Sequence, residues 1–443
     1  MYQDLLHLKA PGNWLNDPNG FIYYGGKYHL FYQYFPYAPQ WGTMHWGHGI
    51  SEDLVHWKHL DVALFPTKRY DENGVFSGSA LNKDGKLYLY YSAVRYLETD
   101  DEDIHRAKDG KLETSQAMVV SEDGFTFDNW EGKRQIIPVI RDKEIGDAAD
   151  TRDPKVWYEG DRYYMILGST CEKKEGRVLF FQSRDGENWE YSGQYRHPGF
   201  GTGMECPDLF RVGGQYIFIG SPMGIGEPGD GYRDHAVCCK AEFDSENCSM
   251  KVADDFRYVD YGMDLYAPQT NVDKDGRRVL IAWMRMPKPV DKEGRKPWNG
   301  MMCIPRVVEV ENGHICFRVH PEVDRCFSRE VEEKEIFDPE KPCRIQTVLD
   351  EGEEINIGGY RIWRENGYIK TDRSQVFQGI EGHRLVSSTP ESLGCCRLDI
   401  FVDSNLIEVF INEGKYVISH VVYGLGDRIL GKARRVFVES IEN

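Results

Sequence analysis

Five times before Met284 the chain repeats one pattern: an apolar strand, a turn containing glycine, and a second strand rich in aromatic or β-branched residues. The copies are 20–24 with 28–34, 78–82 with 87–94, 154–158 with 163–168, 207–212 with 216–220, and 267–272 with 279–284. Turns at Gly25-Gly26, Asp84-Gly85, Gly160, Gly213-Gly214 and Asp275-Gly276 join the halves, which is how hairpins are written in sequence. A second motif is interleaved. It reads Ser51-Glu52-Asp53-Leu54 before Trp57, Ser121-Glu122-Asp123-Gly124 before Trp130, and Ser183-Arg184-Asp185-Gly186 before Trp189. It marks the outer half of a repeated four-stranded unit, and irregular repeats of this kind stack as propeller blades. Helical periodicity is scarce. Apolar residues make up 40% of the chain and aromatic residues 13%, enough for a large β-core. Past Ile304 the pattern changes, and runs such as 396–402 and 406–411 read as a sandwich. The expectation is an all-β protein, with a five-bladed β-propeller over 1–304 and a C-terminal β-sandwich over 312–443.

In a propeller the first strand of each blade lines the axis. Asp17, Ser77, Asp153, Glu205 and Asp264 each stand at or just before the start of such a strand, so they are expected to meet at one mouth of the funnel. Pro18, Pro154 and Pro207 are tolerated there because a strand's first residue can lack a ladder donor. Glycoside hydrolysis commonly uses two carboxyl groups, one ionised and one carrying a proton for the leaving oxygen. Asp17 suits the first role, since Asn16 and Asn19 offer amide donors and donors to the charged form lower a pKa. Glu205 suits the second, since Met204, Cys206 and Pro207 surround it in sequence and desolvation favours the protonated form. Asp153 is a third acid, able to hold substrate hydroxyls. Arg152 is expected to offset part of its charge, although neighbouring strand residues point to opposite faces.

A formal charge of −18 argues against a nucleic-acid partner, which needs a basic patch. No apolar run is long enough to span a bilayer, and no signal-peptide core precedes Asp17. The 11 cysteines contain no Cys-x-x-Cys spacing, which is the usage of a reducing compartment; the expected location is cytoplasmic. His45 and His48 lack a third metal ligand of matching context. Cys206 lacks a histidine partner for nucleophilic work, so its expected role is to tune Glu205. The glycines of 220–231 lack the Lys-Ser/Thr ending of a phosphate loop.

The residues then become specific. Trp14-Leu15-Asn16-Asp17-Pro18-Asn19-Gly20, Trp46-Gly47-His48, Phe76-Ser77-Gly78-Ser79-Ala80, Arg152-Asp153-Pro154-Lys155-Val156, Glu205-Cys206-Pro207-Asp208-Leu209-Phe210, Asp264-Leu265-Tyr266-Ala267-Pro268-Gln269-Thr270 and Pro297-Trp298-Asn299-Gly300 follow one another in order. This series resembles glycoside hydrolase family 32, the invertase and fructanase family. The resemblance implies a retaining double displacement with Asp17 as nucleophile, Glu205 as acid/base and Asp153 as transition-state stabiliser. It implies a fructose pocket shaped by Asn16, Gln33, Trp41, Phe76, Ser77 and Arg152, with Tyr266 and Trp298 as weaker carry-overs. Retention predicts the Asp17 and Glu205 carboxyls about 5–5.5 Å apart. No metal and no cofactor are expected, because the carboxylates themselves stabilise the cationic transition state.

The reading is a β-fructofuranosidase that takes a small sugar, sucrose or short fructo-oligosaccharides, and a homo-oligomer is compatible with it. Sucrose 6-phosphate hydrolysis and exo-fructanase activity are the alternatives within the family. A fructosyltransferase, an inverting arabinan- or xylan-type propeller hydrolase, and a non-catalytic sugar-binding propeller compete from outside that reading. The segment 96–115 is long and holds Glu98, Asp100, Asp101, Glu102 and Asp103. It reads either as a solvated loop or as an overhang on the leaving-group side whose charge disfavours a phosphorylated sugar.

Overall fold

The computed structural model describes residues 3–332, 337–392, 394–432 and 434–440. Each expected hairpin is present, as 13–24 with 27–35, 74–83 with 86–96, 152–159 with 162–171, 204–212 with 215–222, and 265–272 with 278–284. Each opens an antiparallel sheet, and five such sheets follow in succession. The five first strands pack side by side, and the fifth closes on the first. That closed ring is the axis of a five-bladed propeller.

The Ser-x-Asp motif is the turn between a blade's third and fourth strands. Ser51, Ser121 and Ser183 each end a third strand and accept an amide three residues on. Asp53, Asp123 and Asp185 each accept the next two free amides. The fourth residue of the motif takes a positive φ, 66° at Leu54, 78° at Gly124 and 70° at Gly186, which glycine adopts without strain.

A polar belt ties the blades together below the mouth. Asn19 Oδ1 accepts the Gly78 amide at 3.3 Å. Ser79 Oγ donates to Pro154 O at 2.7 Å. Lys155 reaches Thr270 O and lies 3.2 Å from Asp208. Asp208 accepts the Thr270 amide at 2.8 Å, and Gln269 accepts the Phe21 amide at 3.0 Å. Each bond crosses from one blade to another, so these buried groups are satisfied only when the ring is closed.

In the fifth sheet strand 306–311 pairs with 278–284, and strand 314–319 pairs with 306–311. The sequence alone places the end of the propeller at 304 and the start of the sandwich at 312. We propose instead that the division lies in the short helix Pro321–Cys326, which follows these strands. Beyond it a six-stranded and a five-stranded sheet face each other, with Ile345, Ile355, Ile362, Ile400 and Val409 packed in one core. The largest core cluster runs from propeller residues such as Leu15 and Phe21 to Phe401 and Phe410 of the sandwich. Buried ion pairs cross the same boundary. Arg306 lies between Asp260 at 2.9 Å and Glu408 at 2.6 Å, and His7 lies 2.9 Å from both Asp403 and Glu408.

Candidate active site

All five first strands break their ladder at the same level. The register shifts fall between Leu15 and Pro18, Val75 and Gly78, Arg152 and Lys155, Glu205 and Asp208, and Tyr266 and Gln269. A bulge re-aims side chains and is common beside active sites. Three residues preceding a proline take positive φ here, 65° at Asp153, 47° at Cys206 and 50° at Ala267. That backbone is unfavourable for residues with a Cβ and persists only where the surroundings hold it.

The bulges gather the acids. Asp17 Oδ2 accepts the Ser77 hydroxyl at 2.6 Å, and Oδ1 accepts the Asn16 amide at 3.1 Å. Trp14 Nε1 donates to Asn16 Oδ1 at 2.7 Å, which turns the amide's donor end toward Asp17. Asp153 Oδ2 accepts the Cys206 backbone amide at 2.9 Å, and the Asp153 amide is held by Ser92 Oγ at 2.8 Å. Glu205 Oε1 accepts two guanidinium bonds from Arg152, at 2.8 and 3.2 Å, and Oε2 accepts the Tyr266 hydroxyl at 2.5 Å. Arg152 is itself held by Asp150 at 2.7 Å.

Burial raises Asp17 above the usual carboxylate range; Ser77 and Asn16 pull it down, and the Glu205 charge pushes it up. Burial also pushes Asp153 to about 7, against Arg152 and with the charges of Glu205 and Asp17. Three acids in one pocket therefore share fewer than three negative charges near neutrality.

Several expectations change. Glu205 does not sit in apolar company; its two oxygens face Arg152 and Tyr266. Arg152 does reach the acids, since the bulge after it breaks the alternation; it pairs with Glu205 and pulls Asp153 down. Cys206 addresses Asp17 and Asp153, its Sγ lying 3.6 and 3.5 Å from their Oδ2 atoms, so any tuning acts on the aspartates rather than on Glu205. Asp264 does not join the funnel acids: Arg373 of the sandwich donates to both of its oxygens. Gln33 donates to Val75 O at 3.0 Å across the first two blades. Trp41 meets the Phe76 ring edge-on, with centroids 6.0 Å apart. Trp298 is buried in the shared core and its backbone pairs with Asn13. Ser92 and Asp150 join the site without any mark in the sequence, since their partners come from fold geometry; Trp14 stands in the Asp17 block, but its bond to Asn16 does not show there.

The 97–111 loop pairs part of its own charge, three bases against six acids. Lys108 pairs with Glu98 and Asp101, Lys111 with Glu98, and Arg106 with Asp103. It docks on the first blade through His105, which bonds Thr43 Oγ1 at 2.8 Å and meets the Phe35 ring. A cavity of about 610 Å³ lies at the far ends of the inner strands, lined by Tyr23, Leu81, Trp157, Arg211 and Val272 among others. It holds none of the three funnel acids, so we do not place the chemistry there. Among the described residues one trio of metal-capable side chains falls together, His56, Cys326 and Glu439; His56 there is bonded to Asp53 and Glu439.

Residues 7–321 match the N-terminal domain of glycosyl hydrolases family 32, and residues 345–432 match that family's C-terminal domain. The raffinose invertase of Escherichia coli is 32% identical over 445 aligned positions, covering 96% of this chain and 90% of that protein. The sucrose-6-phosphate hydrolase of Bacillus subtilis is 32% identical, covering 93% and 87%. The structure of the Bombyx mori GH32 beta-fructofuranosidase superposes with a TM-score of 0.81 at 30% identity, covering 98% of this chain and 93% of that one.

Proposed function

The chain belongs to glycosyl hydrolase family 32, and from that premise we propose that it is a retaining β-fructofuranosidase releasing terminal fructose from sucrose or short fructo-oligosaccharides. In the first step an Asp17 oxygen attacks the anomeric carbon, Glu205 gives its proton to the departing glycosyl oxygen, and the carbon–oxygen bond breaks. In the second, Glu205 takes a proton from water, the water oxygen bonds the anomeric carbon, and the ester to Asp17 is released. Asp153 takes fructose hydroxyls. Asn16, Ser77, Arg152 and Tyr266 orient the reacting carboxyls; Gln33, Trp41 and Phe76 shape the wall. The observation that carries this is the pairing pattern: Asp17 is held by Ser77 and Asn16, while Glu205 is held by Arg152 and Tyr266.

The test is fructose release from sucrose with the product anomer read by NMR at early times. Retained configuration, lost in Asp17→Asn and Glu205→Gln, supports the assignment. An inverted product removes Asp17 as nucleophile. A second reading is hydrolysis of sucrose 6-phosphate. Several relatives are named for that reaction, and the acidic loop ties Glu98, Asp101 and Asp103 to its own Lys108, Lys111 and Arg106. Comparing kcat/KM for the two sugars decides between them. We place the enzyme in the cytoplasm, supported by the absence of any disulfide among its 11 cysteines. No helix among the described residues is long and apolar enough to cross a membrane.

A further inference from the structure

The segment that brings Tyr266 to Glu205 is not a relaxed strand. Met263 and Ala267 bracket it at φ 70° and 50°, and the ladder breaks just after Tyr266. A backbone of this kind needs holding from outside. Two arginines do so. Arg285 donates to Met263 O at 2.6 Å, Asp264 O at 3.3 Å and Asp234 O at 2.8 Å. Its guanidinium lies 4.6 Å from the centroid of the Tyr266 ring and 3.8 Å from that of Tyr232. Arg373 belongs to the sandwich and is fully buried. It donates to both carboxylate oxygens of Asp264, and its other donors go to Arg384 O at 3.0 Å and Val421 O at 3.1 Å. The Val421 amide gives Asp264 Oδ2 a further bond at 2.9 Å. Every bond to the Asp264 carboxylate therefore comes from the sandwich, two residues along the chain from Tyr266.

We propose that Arg373, across the domain boundary, is a positioning residue for the acid/base: by gripping Asp264 it fixes the 263–267 segment and thereby the Tyr266–Glu205 hydrogen bond. The proposal rests on Glu205 being that acid/base. It gives the sandwich a part in turnover as well as in stability. A loosened segment withdraws a donor from the Glu205 carboxylate, and loss of a donor to the charged form favours the protonated form.

Two variants keep the test open. Arg373→Lys keeps the charge but cannot bridge both oxygens as a guanidinium does. Arg373→Gln with Asp264→Asn replaces the pair by neutral amides, leaving no unpaired buried charge. Both are compared with Tyr266→Phe. The expected result is a fall in kcat of about tenfold with KM changed less, and a basic limb of the kcat profile moved to higher pH. Adding Tyr266→Phe to either variant is expected to lower kcat by clearly less than it lowers that of the wild type, since coupled residues are not additive. A folded variant with wild-type kcat and pH profile, or full additivity with Tyr266→Phe, overturns the proposal. A wild-type protein that releases no fructose overturns the functional reading instead, so the two failures are distinct.

Discussion

Cys206 gives its backbone amide to Asp153 Oδ2 at 2.9 Å, while its thiol stands 3.5 Å from that oxygen and 3.6 Å from Asp17 Oδ2. One residue thus bridges two acids, and it does so because φ at 47° turns amide and side chain toward the same side. Burial, followed by the charges of Asp153, Asp17 and Glu205, pushes the thiol well above its ordinary pKa. A thiol that stays protonated is a donor and a poor nucleophile. Iodoacetamide at pH 8 is therefore expected to leave activity intact. Substrate-protected inactivation, with carbamidomethyl mapped to Cys206, would contradict this.

Asp153 carries a pH-dependent penalty. Its folded pKa is about 7, against about 3.9 for an unfolded aspartate. Between those values the folded chain keeps a proton that the unfolded chain releases, so stability falls as pH rises from about 4 to 7 and is level above. The ceiling is about 4 kcal/mol, at about 1.4 kcal/mol per pKa unit. Asp153→Asn removes this dependence. Its stability relative to wild type in urea is expected to climb between pH 4 and 7 and then stay constant. A pH-independent difference would refute the assignment, whatever happens to turnover.

Asp17 is half-buried with its pKa raised by desolvation, so its charge is held at a cost for the sake of chemistry. Asp17→Asn keeps the shape and removes that charge. It is expected to lower kcat by on the order of a hundredfold or more, while melting at or above the wild-type temperature near neutral pH. Glu205→Gln is expected to lose comparable activity. Near-normal turnover in the first variant would remove Asp17 as nucleophile, and in the second would remove Glu205 as acid/base.

The hairpins were legible because strand alternation and glycine turns are local signals, and the acids were legible because each opens an inner strand. What lay hidden depends on broken rules or distant partners. How Arg152 reaches the acids beside Asp153 was hidden, since alternation presumes an unbroken strand, and the bulge that overrides it is a tertiary product. Asp264 reads as a funnel acid because its partner Arg373 lies 109 residues on, in another domain. Strand 314–319 falls in the 312–443 span read as sandwich because the repeated hairpin pattern ends before it; it pairs with 306–311 across a turn at Asn312-Gly313 and closes the fifth sheet.

Tyr266 faces two acceptors, Glu205 Oε2 at 2.5 Å and Ser221 O at 3.5 Å. A phenol donates one proton and also accepts. When Glu205 is ionised the hydroxyl points at Oε2. When Glu205 carries its proton on Oε2, the hydroxyl can turn toward Ser221 O and accept from the acid. Burial, followed by the Glu205 charge, raises the phenol well above its ordinary pKa, so it stays protonated through this exchange. Tyr266 thus serves both forms of the acid/base without moving its ring. Tyr266→Phe keeps the ring against Arg285 and removes only the oxygen. A hydrogen bond to a charged group contributes about 1.5–3 kcal/mol, so kcat is expected to fall by about ten- to a hundredfold. The ionised form of Glu205 takes the water proton in the second step, so that step loses most. With a substrate bearing an activated leaving group, the fructosyl–Asp17 ester is then expected to accumulate and to be visible by mass spectrometry after acid quench. A uniform loss in both steps, with no trapped ester, would show that Tyr266 acts on substrate binding instead.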